Sequence, residues 1–173
     1  MDGAPAVSLD ETDFALLSAV ERDFDVSLET LANELGLSKS AVHYRLSKLK
    51  ENGAISGVTA DVDPHALGLS MVTITEVSVT HERGYAEEIG ARLGQIGGVQ
   101  QVFYTLGDVD FIVISRVASR EQMNALLDDI VAVEGVDETS SHFVMKEIPV
   151  NPERLLNLSK TQATQLLSGD AND

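Results

Sequence analysis

Lys39, Arg45, Lys48 and Lys50 fall within residues 37–50, a stretch that contains no acid. Ser38, Ser40, His43, Tyr44 and Ser47 lie among them. Together these side chains offer what a nucleic-acid duplex requires: cations for phosphates, and hydroxyl, phenol and imidazole groups for base edges. The rest of the chain makes the surplus conspicuous. Its 173 residues carry 12 Lys+Arg against 28 Asp+Glu, a net charge of −16. Residues 1–63 hold 5 basic and 12 acidic side chains, so that unit is −7 although residues 37–50 are +4. An acidic total opposes phosphate binding. It fits either a protein that binds no DNA or an acidic coat suited to a salt-rich cytoplasm with one basic patch left uncovered. The placement of the charge favours the second. A halophilic archaeal source is expected on that ground.

Other chemistries are poorly supplied. There is no cysteine, which excludes disulfides and thiolate metal sites. His43, His65, His81 and His142 lack the close spacing of metal ligands. No nucleophile–base pair stands at a recognisable spacing. His142 is the one candidate acid–base residue, and a histidine facing a sheet partner is the other reading of it. No catalytic residue, metal or cofactor is therefore expected. No apolar run approaches the ~20 residues that span a bilayer, and Met1 to Asp10 lacks a basic segment followed by an apolar one. The expectation is a cytoplasmic protein that does not engage the membrane.

The elements that position the basic stretch can be read from periodicity. Asp10 to Glu21 reads as a helix, with Phe14, Leu17 and Val20, then Phe24, on one stripe. Ser27 caps a second helix with Leu28, Leu31, Ala32 and Leu35 on one face, and Gly36 ends it. Ser38 caps a third, about Lys39 to Glu51, with Val42, Leu46 and Leu49 inward and Gly53 at its end. Ser40, Tyr44 and Ser47 fall on the opposite side, with His43 and Lys48 flanking and Lys39, Arg45 and Lys50 on the shoulders. Arg45 lies close to the buried stripe, so either a duplex or an ion pair with an acid of the first or second helix is open to it. Ile55, Val58, Ala60 and Val62, with Ser56-Gly57 near a turn, read as a short β-hairpin. Two helices joined by a glycine turn and followed by a hairpin make residues 1–63 a winged helix-turn-helix domain.

Residues 64–150 read differently. Gly68 to Thr80 alternates as a strand, with Met71, Thr73, Thr75, Val77 and Val79 on one face. Glu82 to Gln95 is an amphipathic helix with Tyr85, Ile89 and Leu93 inward, and Val99 to Leu106 a second strand. Gly107-Asp108 should turn into a third strand, Phe111 to Val117. Ser119 caps another helix with Met123, Leu126, Leu127 and Ile130 inward, ended by Gly135. Thr139 to Ile148 is the last strand. The order β-α-β-β-α-β is ferredoxin-like, so the fold class is α+β. Phe111-Ile112-Val113-Ile114 is apolar on both faces. Helices cover only one face of such a sheet, so the other predicts a partner sheet and a homodimer. A two-fold dimer also suits recognition helices about 34 Å apart. Residues 151–173 form a tail in which Pro152 to Leu167 could be helical.

Both halves, in this order, resemble the leucine-responsive/asparagine regulator family, Lrp/AsnC, over about residues 9–150. The similarity is carried by Leu9-Asp10-Glu11-Thr12-Asp13, by Leu31-Ala32 and Leu37-Ser38 through Val42, Arg45, Leu46 and Leu49, by Gly53-Ala54-Ile55, by Gly107-Asp108-Val109-Asp110, and by Gly135-Val136 through Val144. Asp25 departs from the arginine often found there in the family, and the tail lies outside its pattern. The resemblance implies a sequence-specific transcription regulator that binds double-stranded DNA. It also implies dimers that assemble further, often to octamers, and a small effector, commonly an amino acid, bound between dimers near the glycine–aspartate turn. Carried onto this chain, the effector seat is Gly107, Asp108 and Asp110, with Tyr104 and Thr105 as neighbours. Asp110 could accept hydrogen bonds from an α-ammonium, and Gly107 could leave amides open to an α-carboxylate. Ordinary turn chemistry explains the same residues. Two alternatives remain: a metabolite-sensing module that does not touch DNA, and an enzyme akin to the siroheme decarboxylases, which share the two-domain layout but carry a proline- and arginine-containing motif where this chain has Asp23-Phe24-Asp25-Val26-Ser27.

Overall fold

Short side chains at helix starts set the first unit. In the computed structural model, Asp10 accepts from the Asp13 N–H while the Asp13 carboxylate accepts from the Asp10 N–H, and this reciprocal box opens α1 (Glu11–Arg22). Ser27 accepts from the Thr30 N–H to open α2 (Leu28–Leu35), which Gly36 ends at φ 65°. Ser38 accepts from the Ala41 N–H to open α3 (Lys39–Glu51). The structure describes residues 7–80, 85–148, 150, 153–155 and 157–168. The expected helix start at Glu82, the inward Tyr85 side chain, and Pro152 lie outside them.

Leu16, Leu17, Leu31, Ala32, Val42 and Leu49 form the core of this unit. Leu46 and Leu35 pack against it. Leu16, off the expected stripe, is fully buried, whereas Phe24, on it, is 45% exposed. The expected β-hairpin does not form: residues 56–63 carry no strand and are exposed. Only Ala54 and Ile55 reach the core. Val58 and Val62 are 51% and 56% exposed and join no core, and two strands without a buried face are marginal in water.

The second unit is a four-stranded antiparallel sheet, ordered β2-β3-β1-β4, formed by β1 (Met71–Val79), β2 (Val99–Tyr104), β3 (Phe111–Val117) and β4 (Val136–Phe143). The helices α4 (Tyr85–Gly94) and α5 (Arg120–Val131) alternate with the strands in the ferredoxin-like order. Register places Val77 opposite Phe111 and Thr75 opposite Val113. These residues are buried, and Val77, Phe111 and Val113 join Ile89, Leu93, Met123, Leu126 and Ile130 in one core. Gly98, at φ 94°, is required there: a Cβ would meet Leu126 Cδ1 at 2.8 Å.

Two strand boundaries differ from expectation. β2 stops at Tyr104 because its partner β3 begins at Phe111, opposite it. β4 runs Val136–Phe143, not Thr139 to Ile148. Its ladder ends with Thr73 opposite Phe143 and a last bond from the Val144 N–H to the Val72 carbonyl, because β1 begins at Met71. Met145 and Ile148 are left exposed. By contacts the chain divides into residues 1–60 with 149–173, and residues 61–148. In the tail, α6 covers Lys160–Ser168, shorter than the helix expected from Pro152 to Leu167.

Candidate nucleic-acid interface and effector turn

The inward residues Val42 and Leu49 orient α3, and its other face is open to solvent. Lys39, Ser40, His43, Tyr44, Lys48 and Lys50 are exposed, Tyr44 by 65%, and Ser47 is half-buried. Ser38 is exposed but occupied as the N-cap, and its Oγ lies 3.0 Å from Ser40 Oγ.

The four cations are not equivalent. Arg45 Nη1 donates to Asp10 Oδ2 and to Asp13 Oδ1, each at 2.7 Å. Of the two roles open to it, the ion pair with the first helix is the one found. The Asp13 N–H, with Arg45, holds the Asp10 carboxyl below its usual range, and hydrogen bonds from Arg45 to the two carboxylates raise the guanidinium. Lys39 pairs with Glu29 at 2.9 Å, both well exposed. Lys50 Nζ sits 5.5 Å from the centre of the Phe24 ring, which keeps its charge available. Lys48 has no ion-pair partner among the described residues. Lys48 and Lys50 are thus the cations best placed to meet phosphate. The clamp on Arg45 was half legible. Its partners were not, because they lie 32 and 35 positions away.

In the second unit, the β2–β3 turn is closed by the Thr105 N–H donating to the Asp110 carbonyl at 2.8 Å, and by Thr105 Oγ1 donating to the Val109 carbonyl. Tyr104 is exposed, and its ring packs at a 43° tilt against Phe111, centroids 5.2 Å apart. Gly107 and Asp108 stand in solvent. Gly107 has no positive φ, and a Cβ there would meet nothing within 4 Å. The turn does not demand glycine at this position. Asp110 is different: its Oδ2 accepts from the Val79 N–H at 2.8 Å, and its own N–H donates to the Val77 carbonyl. It ties the turn to β1, so part of its acceptor capacity is already used.

The face of the sheet away from the helices carries Val72, Ile74, Ile112, Ile114 and Phe103, with Ile74 opposite Ile114 and Phe103 opposite Ile112. Ile74 and Phe103 are 36% and 49% exposed. Register sets Ile74 opposite His142, whose Nε2 lies 3.9 Å from Glu76 Oε1. His142 therefore stands on this open face rather than in a pocket with a nucleophile. Among the described residues no group of His, Asp and Glu could hold a metal ion, and no helix is long and apolar enough to cross a membrane.

Comparison with known proteins accounts for both units. Residues 9–56 match a family described as winged helix-turn-helix DNA-binding, and residues 73–153 match the Lrp/AsnC ligand binding domain. The HTH-type transcriptional regulator FL11 of Pyrococcus abyssi is 34% identical over 140 residues, covering 81% of this chain and 91% of that protein. The leucine-responsive regulatory protein of Salmonella typhimurium is 28% identical, covering 83% and 89%. Among solved structures, a Neisseria meningitidis transcriptional regulator in complex with L-methionine superposes with a TM-score of 0.79 at 24% identity, over 87% of this chain and 98% of that one. These relatives are regulators, not enzymes, and the decarboxylase alternative falls away. The chain belongs to the Lrp/AsnC family of DNA-binding transcription regulators.

Proposed function

We propose that this regulator reads DNA through the exposed face of α3 and answers to an amino acid held at the β2–β3 turn between dimers. Ser40, His43, Tyr44 and Ser47 meet base edges in the major groove, while Lys39, Lys48 and Lys50 meet phosphates. Arg45 works at one remove, by fixing α3 on α1. The observation that carries the reading is electrostatic. In a chain of net charge −16, the stretch 37–50 holds four cations and no acid, on a helix whose polar face is open.

The sheet face centred on Ile74, Ile112, Ile114 and Phe103 pairs with the same face of a second copy, giving a two-fold dimer that can assemble further, to an octamer. Burial of these side chains supports association at about 25 cal/mol per Å² of apolar surface. For the effector, Gly107 and Asp108 are the residues left open by the turn. A relative of the same fold has been solved with an amino acid, and an α-ammonium suits the Asp108 carboxylate. Effector binding between dimers shifts the assembly, and so the promoter occupancy.

The test is genome-wide crosslinking with sequencing of the bound DNA, followed by titration of a recovered fragment with and without each of the common amino acids. Enrichment of discrete sites and an amino-acid-dependent affinity support the reading. Absence of enriched sites refutes the DNA half, and an affinity indifferent to every amino acid refutes the effector half.

A further inference from the structure

Beyond the family matches, which end at residue 153, the chain returns to its first unit. Glu21, near the end of α1, spends both carboxylate oxygens on it: Oε1 accepts from the Arg154 N–H at 2.7 Å and Oε2 from the Leu155 N–H at 2.9 Å. The Leu155 side chain packs against the helix-turn-helix core, beside Leu9, Val20 and Ile55. Leu155 and Leu166 wall one side of an apolar hollow of about 690 Å³ whose other walls include Leu17, Val20, Phe24 and Ile55. A carboxylate holding two successive amides is a strong, oriented contact, because both hydrogen bonds are charge-assisted.

We propose that residues 153–155 and 157–168 are a clamp on the DNA-binding unit, with Glu21 as the positioning residue that seats them. α1 is held at both ends. Its first turn carries Asp10 and Asp13, on which Arg45 of α3 is anchored. Its last turn carries Glu21, on which the extension is anchored. Fixing the second end of α1 limits the freedom of the first, and through Arg45 that of α3. The chain enters the extension directly from the end of the second unit at Ile148. Along the chain, the DNA-binding unit is therefore joined to the other unit at residues 60–61 and again at 148–149.

This inference rests on the assignment of α3 to DNA, and the experiment separates the two. Backbone amide exchange of the full chain is compared between wild type and Glu21→Gln, which sets an NH2 donor against one of the two amides and removes the charge from the other bond, and between wild type and a chain ending at Val150. A recovered DNA fragment is titrated over a salt series with each. The wild-type amides of Arg154 and Leu155 should be protected, and E21Q should exchange them about tenfold faster or more, as expected for loss of a charge-assisted hydrogen bond. DNA affinity should fall about 3- to 10-fold in both variants, with the salt slope unchanged because every lysine that meets phosphate is kept. Unprotected Arg154 and Leu155 amides in a wild type that binds DNA would overturn the clamp alone. Faster exchange in E21Q with unaltered affinity would overturn its influence on α3. A wild type that binds no DNA would remove the α3 assignment and this coupling with it, while the protection of the two amides would still report on the clamp.

Discussion

Arg45→Gln removes the guanidinium that bridges two carboxylates at the start of α1 and leaves α3 without its ion pair to that helix. Arg45 Nη1 lies 2.7 Å from both Asp10 Oδ2 and Asp13 Oδ1, and the side chains of Arg45, Asp10 and Asp13 are 31%, 54% and 19% exposed. An exposed pair contributes about 0.2–1 kcal/mol. The more sheltered Asp13 pair belongs near the top of that range, and the charge-assisted geometry adds to it. Removal also leaves two carboxylates facing each other, although the α1 N-terminus tempers their repulsion. The sum is about 1–2 kcal/mol, or a fall of roughly 5–10 °C in the melting of the DNA-binding unit. Arg45→Lys keeps the charge but touches the acids at one point, and should recover only part of the stability. The assay is amide exchange in α1 and α3 together with DNA titration over a salt series. Faster exchange in both helices, weaker binding and an unchanged slope are expected. Stability equal to wild type together with a salt slope reduced by about 0.9 would refute the reasoning, because it would show Arg45 on a phosphate.

The Asp10 carboxyl is held low chiefly by the Asp13 N–H and then by Arg45. Its folded pKa is below its unfolded one, so its contribution is complete above the ordinary carboxylate range and is lost as pH falls below about 4. Melting followed from pH 6 to 3 should show this acid loss in the wild type and less of it in Asp10→Asn, which still caps the helix; identical profiles would show that Asp10 does not contribute it. Asp110→Ala strips the acceptor from the Val79 N–H, and should destabilise the second unit by about 1–3 kcal/mol. An effector test is cleaner in Asp108→Asn; unchanged stability of Asp110→Ala would show the tie to β1 to be idle. Ile74→Lys places a charge in the centre of the open sheet face and should convert dimers to monomers by light scattering at micromolar concentration; dimers of wild-type affinity would move the interface elsewhere.

What was legible in the sequence was local. Ser27, Ser38 and Ser119 cap helices through their own side chains, within three residues, and each cap stands where the sequence places it. Phe111 to Val117 is a strand to the residue, because its unbroken apolar run from Phe111 to Ile114 and the turn before it agree. Long-range partners were not legible. The acids that hold Arg45, the start of β1 that cuts β4 short at Phe143, and the core position taken by Leu155 are set by elements remote in the chain. The hairpin after α3 failed for the converse reason: Val58 and Val62 have the right spacing but stay about half exposed and outside the core. At the β2–β3 connection, Gly107-Asp108 was legible as a turn from its chemistry and as an effector seat only through the family resemblance, and only the structure distinguishes Asp110, tied to Val79, from Asp108, which stands in solvent.

That the outward side of α3 lies in a duplex is tested most directly by the salt dependence of Lys48→Gln/Lys50→Gln on a recovered DNA fragment. Taking two ammonium groups off the phosphates should lower the slope of log affinity against log salt by about 1.8 and leave melting within about 0.5 kcal/mol of wild type. A double variant that binds as tightly as wild type, with the same slope, would place the DNA on another surface.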